Sequence, residues 1–196
     1  MGLEINTLPL MDMHTNLHCI RPGPDKNPVT EDSPAITVMT DFTSVTPVTV
    51  EPFTSLDTAL DRMKTMGVRL LLITDEHDDI QGMITSYDLT GEKPVKYTED
   101  TGIKHRDITV LMIMTPISDT PAVDLDYVNR AQVRHVINTL KELDRPHILV
   151  VEKNEKGKNT IRGLFSSSNI GKILGRRVYE PLHASRSLAE ITRSME

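Results

Sequence analysis

Two short stretches of this chain carry the residue types best suited to holding a polar ligand. They are Gly82-Met83-Ile84-Thr85-Ser86-Tyr87-Asp88 and Gly163-Leu164-Phe165-Ser166-Ser167-Ser168-Asn169. Each closes an apolar run with a hydroxyl and sets an Asp or Asn three residues later. A carboxylate or amide beside a free helix N-terminus can hydrogen-bond a diol such as ribose, and the helix start favours a nearby phosphate. The glycine leaves room for a flat ring to approach the backbone. Taken singly, each stretch reads better as a strand end followed by a capped helix, because Asp, Asn and hydroxyl side chains are preferred N-caps. What favours ligand chemistry is that the pattern occurs twice, at the same point of an internal repeat.

The repeat itself is carried by apolar spacing. Leu56, Ala59, Leu60, Met63 and Met66 recur as Val133, Val136, Ile137, Leu140 and Leu143. Both runs follow the i, i+3, i+4, i+7 pattern of a helix with one buried face. An apolar strand follows each at the same offset, Leu71-Leu72-Ile73 or Ile148-Leu149-Val150, and then the strand that ends in the hydroxyl motif. Each copy opens near a Met-Thr pair, Met39-Thr40 or Met114-Thr115, and passes through a short extended segment before its helix. One copy of about sixty residues would bury a marginal core, whereas two copies with facing central strands cover both apolar faces. The expected architecture is α+β: two tandem β-α-β-β-α repeats with pseudo-two-fold symmetry and a cleft between them. Expected boundaries are an N-terminal arm at 1–35, repeat one with a polar linker at 36–107, repeat two at 108–175, and a C-terminal helix at 176–196. Gly91 and Pro94 should cut short the last helix of repeat one, leaving residues 91–107 as linker.

Composition narrows the function classes. Against 28 Asp and Glu stand 22 Lys and Arg, for a net charge of −6, so a nucleic-acid backbone is a poor main partner. No apolar run is long enough to span a membrane. A single cysteine, Cys19, cannot form an intramolecular disulfide, which fits a reducing, cytoplasmic setting. His14, His18 and Cys19 lie close together, but their spacing is poor for a closed tetrahedral metal site, and no metal is expected. His135 is expected at the surface of its helix, and Asp75-Glu76-His77-Asp78-Asp79 in a solvated hairpin turn that lacks the calcium-loop ligand pattern. No carboxylate pair, nucleophile–base pair or metal set can be assembled, so catalysis is the weakest reading and no catalytic residue is expected.

The ordered set of Met-Thr opening, helix, strand and Gly-x-x-Thr/Ser-x-x-Asp/Asn close resembles a tandem pair of cystathionine-beta-synthase (CBS) domains, over roughly Val38 to Gly175. The resemblance implies an adenine nucleotide in the inter-repeat cleft, its ribose held by the closing hydroxyl and acid and its phosphates met by a basic side chain before the second strand. Carried over, it assigns Thr85, Asp88 and Arg69 to one site, and Ser166, Asn169, His147 and Arg145 to the other. Ile36, Thr37 and Met112, just ahead of the Met-Thr pairs, would flank the base. It also implies a regulatory module requiring no cofactor, a homodimer, and signalling to an effector protein of unknown identity. The competing expectation is a dimerisation scaffold that binds no ligand.

Overall fold

The computed structural model describes Cys19, residues 28–154 and residues 157–179. His14, His18 and residues 180–196 of the expected C-terminal helix lie outside these residues, its first four residues, 176–179, are not helical, and Cys19 is exposed. After a 3-10 turn at Ala35–Val38 come β1 (Thr40–Asp41), β2 (Thr49–Val50), α1 (Leu56–Met66), β3 (Leu70–Thr74) and β4 (Ile80–Thr85). Helices α2 (Ser86–Thr90), α3 (Lys93–Thr101) and α4 (Val110–Ile113) lead to β5 (Thr115–Pro116) and β6 (Ala122–Asp124). The second half continues with α5 (Leu125–Val128), α6 (Val133–Glu142), β7 (His147–Lys153), β8 (Asn159–Ser166) and α7 (Ser167–Ile173).

The two expected helices form where their apolar stripes place them. Ser55 caps α1, accepting from the Thr58 amide at 3.3 Å. In α6 the His135 Nδ1 accepts from the Gln132 amide at 3.1 Å, so this exposed histidine serves as a helix cap. The hairpin turn after β3 closes on Asp75, whose Oδ1 accepts from the amides of His77 and Asp79.

Two four-stranded sheets result, in the orders β2-β3-β4-β5 and β1-β8-β7-β6. A helix crossover makes β2–β3 and β6–β7 parallel, and a hairpin makes β3–β4 and β7–β8 antiparallel. The opening strands do not stay with their own copies. Strand β1 pairs with β8 (Thr40 opposite Leu164), and β5 pairs with β4 (Thr115 opposite Met83). The segments ahead of them cross over too: Ala35 and Val38 pack into the core of the second half, and Ile108, Val110 and Ile113 into that of the first.

This exchange corrects the expected role of the two motif glycines. A Cβ on Gly82 would lie 2.4 Å from the Thr115 carbonyl oxygen, and one on Gly163 would lie 2.3 Å from that of Thr40. The space is taken by the backbone of the crossing strand, not kept for a flat ring. The linker also differs from expectation, because α3 occupies 93–101. Pro94 sits in its first turn, where its missing N–H costs nothing, so it starts this helix while Gly91 ends the one before.

Side-chain alternation along β3 and β7 divides the core into layers. Leu71 and Ile73 face the helices of the first half, and Ile148 and Val150 those of the second. Leu70, Leu72, Met83, Leu149 and Leu164 meet in a third cluster that joins the two sheets. His147 is two residues from Leu149 on the same alternation, so it too lies on this seam. Its register partner Ser166 corresponds to Thr85, the partner of Leu70. His147 therefore occupies in the second copy the place Leu70 holds in the first.

Candidate functional site

The two closing motifs share a backbone path but differ in the state of their polar groups. In the first, Thr85 caps α2 and Asp88 completes a capping box. Asp88 Oδ2 accepts from the Thr85 amide at 2.8 Å and from its hydroxyl at 2.7 Å. Asp88 Oδ1 lies 2.6 Å from Lys93 Nζ, which also donates to the Ile113 carbonyl at 3.3 Å. Both oxygens of this carboxylate are thus engaged by the chain itself. In the second motif, Ser166 makes no capping bond to the start of α7. Its hydroxyl instead lies 2.9 Å from that of Ser168.

Beside the second motif a cavity of about 250 Å³ opens between the halves. One wall comes from the second half, with Ser166, Ser168 and Asn169 at the start of α7, Lys172 in its last turn, and His147 and Leu164 beside them. The facing wall comes from the first half: Gly67, Val68, Arg69 and Leu70 leading into β3, and the Thr46-Pro47-Val48 segment leading into β2. Thr40 and Phe42, carried across by the exchanged β1, complete it. The apolar members suit a flat, weakly polar ring. The polar members are hydroxyls, one amide, the imidazole of His147 and the cations Arg69 and Lys172, and no Asp or Glu lines the cavity.

The grouping differs from the one expected. Arg69 shares the cavity with Ser166 and Asn169, not with Thr85 and Asp88, because the residue ahead of β3 faces the closing motif of the other copy. Ser166, Asn169 and His147 line this same cavity. Arg145 is exposed and not among the lining residues. Ile36, Thr37 and Met112 also stand apart from the cavity. In the turn that holds the first two, Ala35 and Val38 point inward at a spacing of three, which turns Ile36 and Thr37 outward. The same spacing buries Val110 and Ile113 and leaves Met112 38% exposed. Ser168, Lys172 and the residues at 46–48 were not anticipated. The one available signal was that Lys172 follows Asn169 by three residues, on the same side of the coming helix.

Electrostatically, the most perturbed group at the site is His147. It is 4% exposed, and its Nδ1 has no hydrogen-bond partner. Burial pushes its pKa down to about 4; the Arg69 cation adds to the effect and the Asp88 carboxylate opposes it. At neutral pH the imidazole is uncharged. Among the described residues no cluster of three or more His, Cys, Asp or Glu could hold a metal ion, and no helix is long and apolar enough to cross a membrane.

With this geometry in hand, comparison places the fold. Residues 35–93 match the CBS domain family. A conserved protein of Pyrococcus horikoshii has a similar structure, with 25% identity, 76% of this chain and 97% of that chain covered, and a TM-score of 0.54. A CBS-domain protein of Agrobacterium tumefaciens has 20% identity, covering 65% of this chain and 83% of that one, with a TM-score of 0.48. The CBS-pair protein CBSX2 of Arabidopsis thaliana, solved in complex with AMP, has 22% identity over 71% of this chain and 94% of that one, with a TM-score of 0.48. No curated protein sequence matches the chain. The family match thus covers residues 35–93, and the second half repeats the same order of helix, strand and strand.

Proposed function

We propose that the chain is a regulatory module whose inter-repeat cavity binds an adenine nucleotide of the AMP, ADP or ATP type and signals its occupancy to a partner protein. The observation that carries this reading is the composition of the cavity. Two cations, Arg69 and Lys172, stand beside the hydroxyls of Ser166 and Ser168 and the amide of Asn169, against apolar walls and without a carboxylate. Such a set favours a ligand that joins an anionic group and a diol to a flat ring. It disfavours a cationic adenosine compound such as S-adenosylmethionine.

Isothermal titration calorimetry with AMP, ADP, ATP and S-adenosylmethionine tests this. Binding of at least one of the three anionic nucleotides, more tightly than the sulfonium compound, supports the reading. Absence of heat from all four at millimolar concentration favours the scaffold reading, which has one observation behind it: the carboxylate of Asp88 is already satisfied within the chain.

A further inference from the structure

His147 is costly where it stands. An unpaired polar atom buried in a core loses its hydration without compensation. The fold does not need it, since Leu70 fills the equivalent place in the first copy. Both positions line the cavity, Leu70 beside Arg69 on one wall and His147 with Ser166 and Asn169 on the other, so what the second copy adds there is a titratable ring facing the Arg69 segment. The other charges around it are Lys172 of α7 on the same cavity, and Asp88 of α2, itself paired with Lys93 of α3. Arg145, two residues earlier, is exposed.

We propose that His147 is a proton-linked sensor of the bound anion: when a phosphate-bearing ligand occupies the cavity, the imidazole takes a proton from solvent and becomes a third cation facing it. This rests on the nucleotide reading of the same cavity. With no ligand bound, burial and the nearby Arg69 cation hold the ring neutral. A phosphate cancels the repulsion from Arg69 and supplies an opposite charge to a desolvated site, and both changes favour the protonated ring. The Asp88 carboxylate already pulls in that direction. The sign follows from linkage: the ligand raises the pKa of His147, so between its values in the free and bound protein the ligand binds more tightly as pH falls. The gain is at most about tenfold per pH unit.

The test is AMP titration of the full chain at pH 8 and pH 6, in two buffers of different ionisation enthalpy, for wild type, His147→Leu and His147→Gln. The phosphate of AMP titrates in the same range, so the readout is the difference between wild type and variants. Wild type should take up more protons at pH 6 than either variant. It should also gain about threefold or more in affinity over them between pH 8 and pH 6. Leucine copies the residue of the first repeat, and glutamine keeps a polar group should leucine disturb the cavity. Binding with equal proton uptake in all three proteins would overturn the sensor and leave the nucleotide reading standing. Absence of binding by AMP, ADP and ATP to wild type at either pH would overturn both.

Discussion

At the scale of single residues, burial has separated two copies of one motif. Asp88 is tied into a capping box and to Lys93, whereas Asn169 lies on an open cavity. The sequence shows Asp against Asn, but not that Lys93, five residues after Asp88, returns to neutralise it. His147 has a consequence for stability as well as for binding. Its pKa of about 4 in the folded chain lies below the usual 6.5, so the unfolded chain binds more protons as pH falls between these values, and stability is lost over that window. His147→Leu should remove up to about 3 kcal/mol of this acid destabilisation. Urea melts at pH 7.5 and 4.5 check it: the gap between the two should narrow in the variant, and an unchanged gap would mean that His147 is not buried in the neutral form.

At the scale of elements, α1 and α6 and the four longer strands were legible because each carries an apolar period matching its geometry. The exchange of β1 and β5 was not, because two-residue strands hold too few side chains for a pattern and their partners are set by tertiary contact. That exchange also hid the composition of the cavity, since Arg69 and Asn169 meet only when the halves are packed face to face. Two devices hold β1 in its foreign sheet. One is the close approach at Gly163. Gly163→Ala should destabilise the chain by about 1–3 kcal/mol, the range for overpacking, and thermal melting should show it. The other is Arg162, which grips Asp41 through two bonds of 2.9 and 2.8 Å and reaches Glu152 at 3.1 Å. The bond from Arg162 holds the Asp41 carboxyl well below the usual carboxylate range, with help from Thr43. Its stabilisation is therefore present above pH 4 and lost as pH falls through the folded value. Arg162→Ala should lower the melting temperature at pH 7, with the deficit shrinking in strong acid, and a deficit independent of pH would point to lost packing instead.

At the scale of the whole molecule, duplication supplies both a shared core and the cavity, because Leu70, Leu72 and Leu164 of the seam that also buries Leu149 reach the cavity wall. The outer surface keeps apolar residues that a monomer leaves wet, among them Phe53 at 77% exposure and Met66 at 56%. A second copy related by a two-fold axis would cover such residues in an isologous interface. Light scattering at micromolar protein should then give twice the chain mass, and a monomer across a dilution series would contradict the pairing. The central claim is that an anionic nucleotide binds between the halves, on the Arg69 and Asn169 side. Calorimetry of AMP and ATP against wild type, Arg69→Ala and Asp88→Ala tests it most directly. Arg69→Ala should weaken binding about tenfold, the equivalent of one charge-assisted contact of roughly 1.4 kcal/mol, while Asp88→Ala leaves the affinity within about twofold. Binding that survives Arg69→Ala unchanged and collapses in Asp88→Ala would place the ligand at the other motif and contradict the account.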